Sequence, residues 1–170
     1  MLLKVNKNDK VIGYETKKRC HIGEGILHRA FTIFVLNKNK EVLIQKRSKD
    51  KFLWPLFWET TCSSHPQKGE NIKKAAEKRL KKELGIECSL QYIGKFYYWA
   101  KYKNIGSEKE ICWIFLGKYL REDINPDPKE VAEWQWVNIK EFEKDLNIHS
   151  QKYAPWVLPA FRRIKGAIFK

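Results

Sequence analysis

Strands interleaved with a few helices, without a regular βαβ repeat, predict an α/β (α+β) sandwich for this 170-residue chain, with one mixed β-sheet flanked by helices. Three observations carry that expectation. Runs of β-branched and aromatic residues bounded by turn residues recur along the chain, and only a few segments keep a helical period. No Pro/Gly/Ser-rich linker or shift in composition divides residues 1–170, so one domain is expected. Hydrophobic residues make up 43% and aromatics 14%, enough to bury a core despite the many lysines.

Taken in order, "LLKVNKNDKVIGYE" reads as a short hairpin around Asn8 and Asp9, and "TKKRCHIGEGILH" as a polar loop whose two glycines argue against a helix. "RAFTIFVLNKNKEVLIQKRS" is the clearest hairpin, two β-rich runs on either side of Asn37 to Lys40. "WPLFWETTCSSHPQKGE", Trp54 to Glu70, is too rich in Pro, Thr and Ser for a helix. From Asn71 to Leu84, Ile72, Ala75, Ala76, Leu80 and Leu84 fall at helical spacing, and Gly85 is a C-terminal stop. "QYIGKFYYWAKY" and "EKEICWIFLGKYL" read as a strand pair joined by "KNIGS", and "AEWQWVNI" as a further strand. "KEFEKDL" and "PWVLPAFRRIKGAI" read as closing helices.

The formal net charge of +14 raises the question of a polyanionic partner: nucleic acid, a membrane surface or a small phosphorylated substrate. The lysines run from Lys4 to Lys170 with no block of five like charges, which favours a solvated lysine surface over a nucleic-acid footprint. No signal-peptide core and no run of membrane-spanning length is present, so a cytoplasmic protein without membrane contact is expected. Cys20, Cys62, Cys88 and Cys112 lie far apart without a CxxC pair, which points to reduced thiols. Nothing in the sequence specifies an oligomeric state.

His21, His28 and His65 sit in Gly- or Ser-containing segments rather than on apolar faces. On a helix, residues seven apart are separated by about 10.5 Å along the axis, too far to share an ion. Gly23 and Gly25 let the chain fold back and bring His21 and His28 together. Glu108 and Glu110, two apart at the start of a strand, point both carboxylates to one face. A cation held by three His and two Glu explains all five residues. Solvated loop histidines and strand-edge acids explain them separately. Mixed nitrogen and oxygen donors suit Zn²⁺ or Mn²⁺, with Mg²⁺ where oxygens dominate. Arg79 and Glu83, four apart on one helix face, form an ion pair or offer Glu83 to a phosphate-bound Mg²⁺.

In order and spacing, H-x6-H (His21, His28), WPxxW (Trp54 to Trp58), SHPQ-x-GE (Ser64 to Glu70), ELG (Glu83 to Gly85), ExE-x-C (Glu108 to Cys112) and PW (Pro155, Trp156) resemble the type 1 isopentenyl diphosphate isomerases of the Nudix superfamily. The likeness runs from about Lys17 to Trp156. It implies a Nudix-like sandwich. Set on the Nudix pattern G-x5-E-x7-R-E-U-x-E-E-x-G-U, the chain has Arg79 and Lys82 where hydrolases carry metal-binding glutamates, a departure shared in kind by the isomerase branch.

The resemblance implies that His21, His28, His65, Glu108 and Glu110 hold one metal, that Glu83 contacts a Mg²⁺ on the substrate diphosphate, and that Lys17, Arg47, Lys51 and Arg79 hold that diphosphate. The implied reaction is a 1,3 proton shift through a tertiary carbocation on a small prenyl diphosphate. Glu110, paired with Tyr98, works on one side, and the Trp156 ring faces the cation. The family's second proton-transfer residue is a Cys two positions before the His. Ser63 stands there in this chain, and Cys62 one place earlier. A one-residue shift on an extended segment turns a side chain to the opposite face, so Ser63 is expected toward substrate and Cys62 away from it. The competing readings are a Nudix pyrophosphohydrolase and a non-catalytic module that binds diphosphates or nucleic acid.

Overall fold

In the computed structural model, which describes residues 1–169, nine strands form one mixed sheet with helices on both faces. Strands β1 (Leu2–Val5) and β2 (Val11–Glu15) make the expected hairpin, with Asp9 left-handed (φ 61°) in its turn. The segment expected as a loop is partly helical. Thr16 accepts the Arg19 N–H and caps the single turn α1 (Lys17–His21), while both glycines lie beyond its end and do not oppose it. Strands β3 (His28–Leu36) and β4 (Glu41–Arg47) follow. The stretch from Trp54 holds two short strands that its composition did not announce, β5 (Trp58–Glu59) and β6 (Cys62–Ser64).

Helix α2 (Ile72–Leu84) matches its expected span. The Asn71 side chain accepts the Lys73 and Lys74 N–H groups, and Gly85, at φ 71°, ends the helix in the left-handed region that only glycine enters freely. Strands β7 (Leu90–Tyr102) and β8 (Gly106–Lys118) pair antiparallel, and β9 (Val131–Asn138) leads into α3 (Ile139–Ile148). After a 3-10 turn at Ser150–Lys152, α4 (Val157–Ile168) closes the fold.

The hairpin expected around Asn37 holds only beside its turn, where Leu36 pairs with Val42. Beyond that point the two strands diverge. β3 takes β8 as a parallel neighbour over nine residues and β6 on its other side; β4 takes β9 and β5. Alternation along β3 then divides the core in two. Ala30 and Phe34 face α3 and α4 together with Cys112, Ile114 and Phe161, while Phe31, Ile33 and Val35 face α2 together with Cys62, Leu80 and Phe115. Truncating a fully buried residue such as Phe34 to Ala costs about 3–5 kcal/mol. The divergence of β3 and β4 leaves open the end of the sheet where β3 and β8 begin.

Candidate active site

At that open end His28 of β3 and Glu110 of β8 are direct register partners. Glu108, two residues earlier on β8, shares the face of Glu110. His65 follows directly on β6, which pairs with β3 on its other side. α1 delivers His21, and the chain then turns back through Gly23 (φ 59°) and Gly25 (φ 71°). A Cβ on Gly25 would meet the Cys20 carbonyl at 3.2 Å, so the return path needs glycine there for space as well as for φ. The three imidazole centroids end 4.7, 4.9 and 5.0 Å apart, and one donor atom from each of the five residues lies within 4.8 Å of the others. Donors about 2.1 Å from a shared ion stand about 3 to 4.2 Å apart, so small side-chain movements close this set on a cation.

The hydrogen-bond pattern fits a metal. His21 Nδ1 donates to the Lys17 carbonyl (2.6 Å) and His28 Nδ1 to the Ile26 carbonyl (2.7 Å), so each Nε2 presents a lone pair. His21 Nε2 lies 2.9 Å from Glu108 Oε2, and His28 Nε2 3.2 Å from Glu110 Oε1. Despite these short approaches, both Nε2 atoms and Glu108 Oε2 are buried without a hydrogen bond. Acceptors facing one another in this way need a proton or a cation between them. Burial, reinforced by His28 and His21, pushes the His65 pKa well below its ordinary value and keeps it neutral, as a ligand must be. Burial works against ionisation of Glu110, but a protonated His28, whose place a cation would take, and the Tyr98 hydroxyl outweigh it and hold the carboxyl below the usual range. Tyr98 donates to Glu110 Oε2 at 2.6 Å; burial and the two glutamates push its own pKa well up, so it keeps its proton.

Beside this cluster opens a cavity of about 350 Å³. His21, His65, Glu108, Glu110 and Tyr98 line it on the side of the His/Glu cluster, and Ser63 and Trp156 also face it. Lys17, Arg47, Lys51 and Arg79, the four basic residues expected at a diphosphate, all reach it. Desolvation there, with the positive charges of Lys51 and Arg79, lowers the Lys17 pKa. Lys51 pairs with Glu130, and Arg79 reaches the same carboxylate at 2.8 Å. This acid, which aligns two phosphate-binding candidates, carries no local sequence signal. Arg47 donates to the Trp54 and Leu53 carbonyls (3.0 and 2.8 Å) and to Glu59 (3.0 Å), leaving two of its five N–H donors free. Those bonds hold a loop in which Trp54 (φ 48°) and Leu56 (φ 63°) are left-handed, a strain on the order of 1 kcal/mol each.

Two of the thirteen expected residues stand back from the cavity wall. His28 is wholly buried behind it. Glu83, 1% exposed, accepts from Arg79 Nε (2.6 Å) and from Gln45 Nε2 (3.0 Å), so Arg79 stands between Glu83 and the cavity. Ser63 and Cys62 divide as alternation requires. Cys62 is fully buried among the α2-side residues, and burial pushes its thiol pKa well up. Ser63 Oγ accepts the Trp156 indole N–H (3.1 Å) and lies 2.9 and 3.0 Å from the Thr32 and Thr60 hydroxyls. All four cysteines are free thiols.

A mixed sheet between helices, with a His/Glu cluster at one end and a helix ending at Leu84 beside a basic cavity, is the arrangement of a Nudix domain. Residues 26–157 match the NUDIX domain family. The backbone resembles a Deinococcus radiodurans protein (TM-score 0.69, 17% identity, 87% of this chain and 89% of that one) and a MutT protein from Methanosarcina mazei (TM-score 0.68, 19% identity, 85% and 96%), likenesses that bear on fold alone. Sequence relatives are more specific. Isopentenyl-diphosphate Delta-isomerase 1 of Photorhabdus laumondii is 36% identical over 89% of this chain and 87% of its own length. The Halorhodospira halophila isopentenyl-diphosphate Delta-isomerase is 34% identical over 94% and 90%, and isopentenyl-diphosphate Delta-isomerase 1 of Bos taurus 36% over 92% and 78%. The chain belongs to the type 1 isopentenyl-diphosphate Delta-isomerase family of the Nudix superfamily.

Proposed function

We propose that this protein interconverts isopentenyl and dimethylallyl diphosphate by a metal-assisted 1,3 proton shift. The observation that carries the reading is the meeting, in one cavity, of the Glu110–Tyr98 pair on the His/Glu cluster, the Ser63–Trp156 pair, and four basic side chains. An alkene shift needs an acid and a base at two carbons. A diphosphate needs several cationic donors, and the free N–H groups of Arg47 and the guanidinium of Arg79 suit its oxygens.

In this reading His21, His28, His65, Glu108 and Glu110 hold a Zn²⁺ or Mn²⁺ ion. When bound, it supplies the positive charge that offsets the two carboxylates and keeps Glu110 ionised. Lys17, Arg47, Lys51 and Arg79 bind the diphosphate. Glu83 would hold a Mg²⁺ bound to that diphosphate, with Arg79 released from Glu83 to phosphate. Glu110, held by the Tyr98 hydroxyl, moves one proton, Ser63 handles the other, and the Trp156 ring lies against the cationic carbon. The bond between Arg79 and Glu83 favours isomerase over hydrolase, since a cation fills the place of a metal-binding acid. A small prenyl diphosphate, rather than nucleic acid, is the partner this cavity suits. The reading places the protein in the cytoplasm; among the described residues no helix is long and apolar enough to cross a membrane. Two apolar clusters on opposite faces of one sheet support reading residues 1–170 as one domain.

Incubation with isopentenyl diphosphate, Mg²⁺ and Zn²⁺ or Mn²⁺ should yield dimethylallyl diphosphate without release of phosphate. Release of phosphate or diphosphate from a nucleotide panel, with no isomerisation, overturns the reading in favour of a hydrolase. Binding of isopentenyl diphosphate without any turnover overturns it in favour of a non-catalytic module.

A further inference from the structure

We propose that Glu130 is a positioning residue of the diphosphate site, a fixed carboxylate outside the cavity that keeps Lys51 and Arg79 at its wall and retains Arg79 as it exchanges Glu83 for phosphate. The proposal rests on the diphosphate site of the isomerase reading and adds a residue to it. Lys17, Arg47, Lys51 and Arg79 converge on one cavity, and like charges gathered in an empty site repel unless anions stand among them. Glu130 answers two of them. Its Oε1 pairs with Arg79 Nη2 at 2.8 Å, its Oε2 accepts from the Lys51 ammonium, and it is itself absent from the cavity lining. The carboxylate therefore holds these cations from behind. Lys51 spends one of its three N–H donors on it; Arg79 gives Nε to Glu83 (2.6 Å) and an Nη2 hydrogen to Glu130, and the remaining donors of both are open to a diphosphate.

Backbone contacts fix where this carboxylate stands. The Glu130 carbonyl accepts the Ser48 N–H (3.0 Å) at the start of the loop that carries Lys51, and Ser48 Oγ donates to the Lys129 carbonyl (2.8 Å). A few residues earlier, the Asn125 and Asp127 N–H groups donate to the Leu84 and Glu83 carbonyls (2.9 and 2.8 Å) at the end of α2, the helix that carries Arg79. Residues 125–130 thus join the two elements that supply the cations. Only 18% of the Glu130 side chain is exposed, against 16% for Lys51 and 21% for Arg79, so salt screens these pairs less than it would on an open surface. Burial opposes the charge of Glu130, but Lys51 and Arg79 outweigh it and hold the carboxyl below the usual range.

Arg79 is shared between Glu83 and Glu130. Its turn to phosphate gives up Glu83, and with Glu130 in place the guanidinium keeps one charge-assisted bond through the exchange. Without the Glu130 charge, phosphate has to displace an exclusive Arg79–Glu83 pair, and Lys51 loses the partner that holds its flexible stem at the cavity. Both losses fall on binding rather than on proton transfer. Glu130 touches no reacting atom; it acts through Lys51 and Arg79.

The test is binding of isopentyl diphosphate, a saturated analogue that cannot isomerise, measured by calorimetry in Mg²⁺ buffer on the Zn²⁺- or Mn²⁺-loaded protein, beside turnover of isopentenyl diphosphate. Glu130→Gln keeps the size but removes the charge, and should raise Kd and KM about tenfold. Its kcat should change less than about twofold. Glu130→Asp restores the charge and should bind within about threefold of wild type. In an Arg79→Gln background, Glu130→Gln should cost less than about threefold, because one of its two partners is gone. Unchanged binding in Glu130→Gln overturns the proposal; tighter binding does so too, by making Glu130 a competitor of phosphate. An equal loss in Glu130→Asp reduces Glu130 to packing and overturns it, as does an undiminished loss beside Arg79→Gln. If Glu130→Gln does not fold, Glu130→Ala takes its place with the same outcomes deciding. A wild type that binds the analogue without turning over isopentenyl diphosphate refutes the isomerase reading alone, since the binding measurements still decide on Glu130; a wild type that does not bind the analogue refutes both.

Discussion

Removing a cation bound at the His/Glu cluster should destabilise the protein. The donor atoms of Glu108 and Glu110 lie within 4.8 Å of one another among buried imidazoles. At that separation two like charges in an effective dielectric of 20 repel by about 3.5 kcal/mol. Without a metal, part of this is relieved by protonation of His21, whose pKa is drawn down by burial but raised overall by Glu108. A cation removes the repulsion and occupies the unpartnered Nε2 atoms; at a hundredfold excess over its Kd it stabilises the folded state by about 2.7 kcal/mol. For a chain of this size each kcal/mol moves Tm by about 2–4 °C, so Tm should rise by about 5–10 °C between chelated and Zn²⁺- or Mn²⁺-loaded protein. Scanning calorimetry of the chelated, reloaded and His28→Ala proteins measures it. His28 is the informative ligand because it is wholly buried, stands back from the cavity, and cannot contribute through substrate contacts. A shift below 1 °C with Zn²⁺, Mn²⁺ and Mg²⁺, or an undiminished shift in His28→Ala, refutes the metal site.

Three further outcomes follow from named contacts. Asp9 is opposed by burial, but Lys95, Arg29 and the Trp113 indole N–H hold its carboxyl below the ordinary 3.8; Asp9→Asn should cost about 2 kcal/mol at neutral pH. Because the folded-state pKa is depressed, the Tm gap to wild type should be constant above pH 3.8 and narrow below it; a gap that widens in acid contradicts the assignment. Cys62→Ala should cost roughly 1 kcal/mol of stability with kcat changed less than twofold, and native protein should leave Cys62 unlabelled by thiol reagents; a tenfold loss of kcat would restore it as a catalyst. Gly106→Ala would set a Cβ 2.1 Å from the His21 carbonyl, so it should weaken metal affinity at least tenfold by displacing His21, as read by metal titration; wild-type affinity counts against that route to the site.

The legible parts of this molecule are those written in local pattern. The apolar spacing from Ile72 to Leu84 with Asn71 and Gly85 at its ends specifies α2, and alternation over "TCSS" suffices to turn Cys62 and Ser63 to opposite faces. The His and Glu cluster could be read as a set because Gly23 and Gly25 announce the chain reversal. Partner choice between distant strands is less visible. Nothing near Ala30 to Leu36 says that it pairs in parallel with residues some eighty positions away and meets β4 only at Leu36. α1 escaped notice because five residues carry too little periodicity, and the helix rests on one Thr16 cap. Glu59 and Glu130 went unread because an acid in a short extended or turn segment looks solvated until tertiary packing buries it against Arg47 or Lys51.

The central claim is proton exchange at carbon. Isopentenyl diphosphate incubated with the metal-loaded protein in deuterated water, followed by NMR, should gain deuterium in its carbon skeleton and appear as dimethylallyl diphosphate. The signal should fall to background in Glu110→Gln. Unlabelled substrate after prolonged incubation, or labelling equal in Glu110→Gln, contradicts the account.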